Sequence, residues 1–271
     1  RRSTLVTEIM DIDQIAIDAM SDQEEAAQMI ARYDLVALPV VDSDFRLLGI
    51  ITHDDALEII EEEHTEDIEK ASGIGGDRGD FAYLQTPVMT HLRRRFLWVL
   101  GLAFLALISG FVMHRYESIF TAQYVLALYL PMVVAAGGNT GAQAATMVIR
   151  AMSLGELTPQ SFLRVVWKEL RVGLLLGGML GLCIALQIQF VLPRELFGID
   201  AATSLVQLAI VVGLALTVQV MTSTFIGAAL PIGARAIQLD PAVVASPAIT
   251  TLVDVSGLII YFNLARLLLP I

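Results

Sequence analysis

The residue with the clearest potential for chemistry is Asp254, a single carboxylate near the middle of the apolar run Ala242–Leu269. At ~1.5 Å of rise per residue, a helix of this length can cross a bilayer with some tilt. An ionised carboxylate at the centre of a membrane costs at least ~2.5 kcal/mol, so it usually pairs with a cation or serves a transport path. No Lys or Arg lies at a comparable depth in the other apolar runs. We therefore favour a cation site on a pore over a carboxylate that is paired inside a helix bundle.

A glycine-rich segment of the second apolar run, PMVVAAGGNTGAQAAT, is the second candidate. Its Pro131, its glycines and its two amides predict irregular backbone that is buried in protein or lines a watery cavity. Glycines at membrane depth also allow a hydrated ion to approach backbone carbonyl groups. Close helix packing through small residues is the alternative. The fourth run adds polar side chains that we expect to flank the same path: Thr217, Gln219, Thr222, Ser223 and Thr224.

The third candidate is a helical segment from Asp54 to about Gly73 that is rich in carboxylates. Like charges one turn apart destabilise a helix by roughly 0.2–0.5 kcal/mol per pair. A solvated charged face explains such a run, and so does a low-affinity sensor in which bound divalent cations remove the repulsion. The pattern leaves both explanations open. The carboxylates concerned are Asp55, Glu58, Glu61, Glu62, Glu63, Glu66, Asp67 and Glu69.

Composition divides the chain into two parts with different solvents. Of the 271 residues, 56% are hydrophobic and the mean hydropathy is +0.69, which indicates a membrane protein. Residues 1–80 carry a formal charge of −15 and the remainder carries +4. An acidic soluble part argues against nucleic acid as a partner and suits cations. The single Cys183 excludes an intrachain disulfide. Because the chain starts at Arg1 without a Met, we expect a fragment of a longer protein.

Five apolar runs predict a pore domain of five transmembrane helices in residues 93–271, surrounded by membrane lipid. Most of the Lys and Arg residues that flank these runs share a side with the acidic part. The positive-inside rule then predicts a multi-pass protein of the cell membrane with a cytoplasmic N-terminus and an external C-terminus. The predicted spans are Phe96–Met113, Ser118–Ile149, Val165–Leu192, Thr203–Leu230 and Ala242–Leu269.

The acidic part predicts a small α/β module over residues 1–60, followed by an acidic connecting helix and linker over residues 61–92. Ser21 is expected to cap the first helix, because Glu24 occupies the capping-box position. Alternating apolar residues predict three strands: Val6–Met10, Leu35–Asp42 and Arg46–Thr52.

The LPVVD…GIIT…D pattern of this module resembles a cystathionine-β-synthase (CBS) repeat. The resemblance implies that repeats work in pairs and often bind adenine nucleotides, so ATP is a candidate ligand. Thr52 and Asp55 lie where the ribose and phosphate contacts of that family usually fall. A dimerisation domain that binds nothing is the alternative, and the sequence does not decide between them.

The GGNTG segment, the LDPAVVASP link and the TLVDVSGLIIYFNLARLLL ending together resemble the MgtE family of magnesium channels. The resemblance implies a homodimer with one pore on its two-fold axis, lined by the second and fifth spans. It places Asp254, Gly138 and Asn139 in the pore and Asp240 at its cytoplasmic mouth. It further implies that the acidic helix plugs the pore when Mg²⁺ is abundant, with sensing carboxylates at Asp55, Glu58, Glu63, Glu66 and Asp67.

Two positions depart from the family pattern: Thr121 stands one helical turn beyond Glu117, where relatives can carry an acid, and Ala142 stands where they can carry an amide. Ion preference among Mg²⁺, Co²⁺ and Mn²⁺ is therefore open. We expect an Mg²⁺-selective channel or transporter, and an H⁺- or Na⁺-coupled divalent cation transporter is the alternative. An enzyme is not expected, because none of the four histidines forms the HExxH zinc pattern of membrane metalloproteases.

Overall fold

The structure, a computed structural model, describes residues 5, 14–75, 83–122, 124–191, 204–242 and 246–269. The chain forms two compact units, residues 1–68 and 69–271. The predicted fold class is confirmed: the protein is mainly helical, and its described residues form five helices long and apolar enough to cross a membrane and a small three-stranded sheet. The helices and strands are β1 (Ile17–Asp18), α1 (Gln23–Tyr33), β2 (Ala37–Val41), β3 (Leu47–Thr52), α2 (His53–Ala71), α3 (Val88–Arg115), α4 (Glu117–Ala122), α5 (Tyr124–Ser153), α6 (Phe162–Phe190), α7 (Leu205–Ala236) and α8 (Ser246–Leu268).

The first unit builds its sheet in the order β1-β2-β3. Strands β2 and β3 form the predicted antiparallel hairpin, with Leu38 opposite Ile51, and β1 adds a short parallel pair that the sequence did not predict. The strand predicted at Val6–Met10 lies outside the described residues. Helix α1 covers the sheet and buries Ala26, Ala27 and Ile30 against Leu38.

The N-cap of α1 is Asp22, so the prediction of Ser21 is wrong by one residue. Asp22 has extended backbone angles, and its carboxylate accepts a hydrogen bond of 2.9 Å from the amide of Glu24. An Asp at the cap satisfies a backbone donor that the helix leaves unpaired. Ser21 is too early in the chain for this role, because helical geometry starts at Gln23.

The second unit packs α5, α7 and α8 around one apolar core, which includes Val133, Leu216, Tyr261 and Phe262. Helix α6 lies against α7 through glycines. A Cβ atom on Gly177 would be 2.7 Å from the carbonyl oxygen of Thr217, which no real side chain tolerates. The two backbones therefore approach each other as closely as small residues permit.

The expectation of irregular backbone at the GGNTG segment is wrong, because α5 is α-helical from Tyr124 to Ser153 and includes Pro131. Two of its glycines serve close packing instead. A Cβ on Gly137 would be 2.9 Å from Cγ1 of Val253, and one on Gly141 would be 2.6 Å from Oγ of Ser223. The alternative considered for these glycines, packing through small residues, is what the structure shows at both positions.

The polar stripe of α7 is divided between two faces, so it does not flank one path as expected. Thr217 donates a hydrogen bond of 3.0 Å to the carbonyl of Gly177, and Thr224 donates one of 3.2 Å to the carbonyl of Glu169, so both face α6. Gln219 and Ser223 face α5 and α8 instead. Helical periodicity separates these pairs, because residues two apart point in different directions.

Candidate functional site

Asp254 and the glycine pair of α5 lie side by side. The position that a Cβ atom would take on Gly138 is 3.9 Å from Oδ1 of Asp254 and 3.2 Å from Cγ2 of Thr250. A methyl group on Gly138 would therefore press against Thr250 and lie in ordinary contact with the carboxylate, so the glycine lets α5 approach α8 closely beside Asp254. Two of the residues predicted for the pore, from segments more than a hundred residues apart, thus meet on the α5–α8 contact.

The carboxylate of Asp254 lies apart from the basic side chains of the described residues. Among the residues that the structure describes, no Lys, Arg or His nitrogen is within 4.0 Å of its carboxylate. The side chain is half-buried rather than enclosed. This arrangement disfavours the interpretation of a carboxylate neutralised by an ion pair, and it leaves an acidic group free to meet a cation.

Gln219 of α7 holds α5 and α8 together next to this carboxylate. Its side chain is fully buried, and Nε2 donates a hydrogen bond of 2.8 Å to the carbonyl of Val253. The same amide group packs against Gly137 of α5 and Gly257 of α8, where any larger side chain would overlap it. Ser223 donates a hydrogen bond to the carbonyl of Gly137. Three helices are thus held together directly beside Asp254.

Asn139 lies on the outside of the single subunit, unlike its neighbours Gly137 and Gly138, which are buried. Pro131, Ala135 and Gln143 are exposed as well, at helical spacings that place them on the same side of α5. In the described part of the chain, Asn139 forms no hydrogen bond. A row of small and polar groups is a poor lipid-facing surface, because an amide without a partner in hydrocarbon is costly.

Asp240, predicted at the mouth of the pore, forms an ion pair instead of standing free. Its Oδ2 is 2.8 Å from Nζ of Lys70, at the end of α2, and its Oδ1 accepts a hydrogen bond of 2.8 Å from the amide of Ala242. The residue before Lys70, Glu69, pairs with Arg94 of α3 at 2.5 Å. Sequence reasoning missed both ion pairs, since no pattern relates residues so far apart in the chain.

The predicted sensing carboxylates do not converge on one point. Glu58, Glu63, Glu66 and Asp67 follow one another along α2, and no group of three or more described His, Cys, Asp or Glu side chains is close enough to hold a metal ion. Glu63 accepts a hydrogen bond of 2.7 Å from Nε2 of Gln23.

One further carboxylate lies near this row. Burial raises the pKa of the Glu24 carboxyl above its ordinary value, and the charges of Asp67 and Glu63 raise it further. Helix α1 therefore presents an acid to the acidic side of α2. The sequence marked Glu24 only as a capping residue, because its proximity to α2 depends on tertiary packing.

Thr52 and Asp55 contact each other at the start of α2. The Asp55 carboxylate accepts hydrogen bonds from the hydroxyl and the amide of Thr52, at 2.5 and 2.9 Å, and these bonds lower its pKa. The pair acts as a local cap for the helix. A contact of these residues with ATP stays a prediction.

Comparison with known proteins identifies the family of this chain. Residues 130–264 match the family described as "MgtE: Divalent cation transporter", and residues 6–62 match the CBS domain. A magnesium transporter MgtE of Thermus thermophilus is 38% identical over 266 residues, which are 98% of this chain and 56% of that protein. The chain belongs to the MgtE family.

Two more MgtE relatives show the same extent of similarity. The magnesium transporters MgtE of Bacillus subtilis and Enterococcus faecalis are 34% and 29% identical over 260 and 267 residues. These matches take in 96% and 97% of this chain, but 54% and 55% of the relatives. The chain therefore spans about half the length of the curated MgtE proteins that it matches.

Proposed function

We propose that this chain conducts Mg²⁺ across the membrane and that Asp254 is the ion-binding group of its pathway. The observation that carries the proposal is the half-buried Asp254 carboxylate, which lies beside Gly138 and has no basic partner among the described residues. Mg²⁺ prefers carboxylate oxygens and surrenders its waters reluctantly. A half-buried carboxylate without a basic partner suits a hydrated ion, which would contact the protein through its waters.

We further propose that two copies form one pore on a two-fold axis. The exposed row of Asn139, Gln143 and small residues on α5 supports this, since a partner or water would cover what lipid covers poorly. An interface on a two-fold axis presents the same patch from both copies, so the two Asp254 carboxylates could face each other. A divalent cation between them would offset the repulsion of two like charges. We place the N-terminus in the cytoplasm on the basis of the positive-inside rule.

The test is Mg²⁺ flux into liposomes that contain the full chain or its Asp254→Ala variant. We expect the variant to lose at least nine-tenths of the flux. The matched control is Asn263→Ala, which removes an exposed polar group from the same helix. Asn263 donates hydrogen bonds to Tyr116 and Ile259 and lies away from Gly138.

Equal flux in the parent and the Asp254→Ala variant would refute the role of Asp254. Flux that follows an imposed H⁺ or Na⁺ gradient, rather than the Mg²⁺ gradient and voltage, would favour the coupled transporter. Competition by Co²⁺ and Mn²⁺ in the same assay measures the ion preference that Thr121 and Ala142 leave open.

The acidic module is proposed to sense Mg²⁺ and to slow the flux when the ion is abundant. Support comes from Glu63 and Asp67, whose carboxylates are close enough to Glu24 to raise the pKa of its carboxyl. Bound Mg²⁺ would relieve this repulsion and favour the packed arrangement of α1 and α2.

Replacing Glu63 with Gln and Asp67 with Asn should therefore weaken the inhibition of flux by internal Mg²⁺. The matched control is the double variant Glu61→Gln and Glu62→Gln, which removes two charges from an exposed part of the same helix. Identical inhibition curves for the parent and both double variants would exclude this part of the module as the sensor.

A further inference from the structure

A cavity of about 540 Å³ lies between the C-terminal end of α5 and the beginning of α6, away from Asp254 and its surroundings. Its volume is within the range of ~300–1,000 Å³ that is usual for small-molecule sites. Five charged side chains line it: the cations Arg150, Arg164 and Lys168 and the carboxylates Glu156 and Glu169.

The three cations are available for a ligand. Within the described ranges, no carboxylate oxygen is within 4.0 Å of the charged nitrogens of Arg150, Arg164 or Lys168. Arg171, one turn further along α6, differs from them: its guanidinium lies over the ring of Trp167, and it does not line the cavity. With the two carboxylates of the lining counted, the cavity keeps one excess positive charge, which favours the entry of an anion.

Glu169 gives the cavity a second polar feature. Only 9% of this residue is exposed, and its carboxylate forms no hydrogen bond or ion pair with any residue that the structure describes. Its carboxylate oxygens are open to the cavity, where a hydrogen-bond donor of a ligand can reach them. The cavity thus combines a site for an anion with an acceptor for a hydroxyl group.

The remaining lining is apolar and opens outward. Met147, Leu154 and Leu157 line the same cavity, and Met147 and Leu154 are 68% and 59% exposed. The cavity lies where the membrane helix α5 ends and α6 begins, which is the level of the membrane–water boundary. A ligand here would have its charged end among the cations and an apolar end along the helices.

We propose that this cavity binds the headgroup of an anionic glycerophospholipid. The phosphodiester would contact Arg150, Arg164 and Lys168, because guanidinium groups bind phosphate oxygens in pairs. A headgroup hydroxyl would donate to Glu169, and the acyl chains would follow Met147 and Leu154. Three cations and two carboxylates leave one positive charge, which matches a single phosphodiester. Basic pockets between membrane helices at this level are typical lipid sites.

The probe is phosphatidylglycerol, added to the delipidated full chain in detergent and counted by native mass spectrometry. We expect at least a tenfold preference for phosphatidylglycerol over phosphatidylcholine. The triple variant Arg150→Gln, Arg164→Gln, Lys168→Gln should lose this preference. The control, Arg171→Gln, removes one positive charge from α6 outside the cavity and should keep the preference.

Two additions protect the test from misfolding and from a different source of phosphate. The single variant Lys168→Arg keeps the charge and should retain the preference. The unfolding midpoints of this variant and of the triple variant are compared with that of the parent in mixed micelles of detergent and phosphatidylcholine. Inorganic phosphate and ATP are titrated against bound phosphatidylglycerol at millimolar concentration, and we expect neither to displace it.

Three results would overturn the proposal. The first is equal retention of phosphatidylglycerol by the parent and a folded triple variant. The second is displacement of the lipid by inorganic phosphate or ATP at the same site, which would assign the cavity to a soluble phosphate ligand. The third is a preference for phosphatidylethanolamine, since a neutral headgroup would contradict the charge balance.

Discussion

Replacing Gly137 with Ala should destabilise the membrane unit, even though Ala is the better helix former. In an open helical position the exchange would stabilise by up to about 1 kcal/mol. At Gly137 the new methyl would be 2.9 Å from Cγ of Gln219 and 2.9 Å from Cγ1 of Val253, and closer still to Nε2 of Gln219. Overpacking of this kind costs about 1–3 kcal/mol.

The second cost is the hydrogen bond that Gln219 donates to the carbonyl of Val253. If the amide moves to admit the methyl, this buried hydrogen bond is broken, which costs about 1–3 kcal/mol. Subtracting the gain in helix propensity leaves a net destabilisation of about 1–5 kcal/mol. The matched control is Gly178→Ala on α6, where no described atom beyond the local helix backbone is within 4 Å of the new methyl, so the exchange should be neutral or stabilising.

The assay is the midpoint of thermal unfolding in one detergent at one scan rate, because membrane proteins often unfold irreversibly. We expect the midpoint of Gly137→Ala to lie below the parent and that of Gly178→Ala to lie at or above it. Adding Gln219→Ala removes the atoms that obstruct the methyl, so the double variant should lose less stability than the sum of the two single changes. A Gly137→Ala protein as stable as Gly178→Ala, or strict additivity in the double variant, would refute the packing argument.

The other predictions concern single contacts. Asp22→Ala should cost about 1 kcal/mol of stability in the first unit and Ser21→Ala less than about 0.5 kcal/mol, as measured by chemical denaturation followed by circular dichroism. Tyr261→Phe should cost about 0.5–1.5 kcal/mol, because it removes the hydrogen bond of 2.8 Å that the buried hydroxyl donates to the Leu126 carbonyl of α5; an unchanged unfolding midpoint would contradict this. The hydrogen bonds from Thr52 lower the pKa of Asp55, so their stabilisation is present above the ordinary pKa of the carboxyl and is lost as the pH falls through the lowered value. Thr52→Val should therefore shift the onset of acid unfolding of the first unit to higher pH, and coincident acid transitions would disprove the link.

Much of the fold was predictable because it depends on local pattern. The apolar runs gave all five membrane helices, and the hairpin of β2 and β3 follows from two strands joined by a short polar turn. The boundaries were less accurate. Helix α3 begins at Val88, eight residues before the predicted Phe96, because the basic segment between them is helical too. A hydropathy pattern detects the apolar part of a helix and not its polar ends.

The candidate site was predictable in part and for a different reason. Asp254 is conspicuous because a carboxylate is costly at its depth, and Gly138 was named through the family resemblance. The roles of the residues between them depend on which helix faces which. Gln219 and Thr217 are two residues apart in one polar stripe, yet one supports the site and the other bonds α6. Lys70 and Asp240 are separated by most of the chain, so only tertiary structure could pair them.

The close approach of α6 and α7 also bears on how this chain can vary during evolution. At Gly173, Gly177 and Gly181 an added methyl would meet main-chain atoms of α7, which cannot rotate away as a side chain can. Every missense change at these positions adds a side chain. Because that side chain would meet backbone atoms, a substitution elsewhere in α7 cannot remove the overlap. We expect saturation mutagenesis to show intolerant positions at intervals of four along α6, whereas the neighbouring Gly178 should accept substitutions. The pattern of tolerated substitutions would then reveal the contact of α6 with α7 without any structural data.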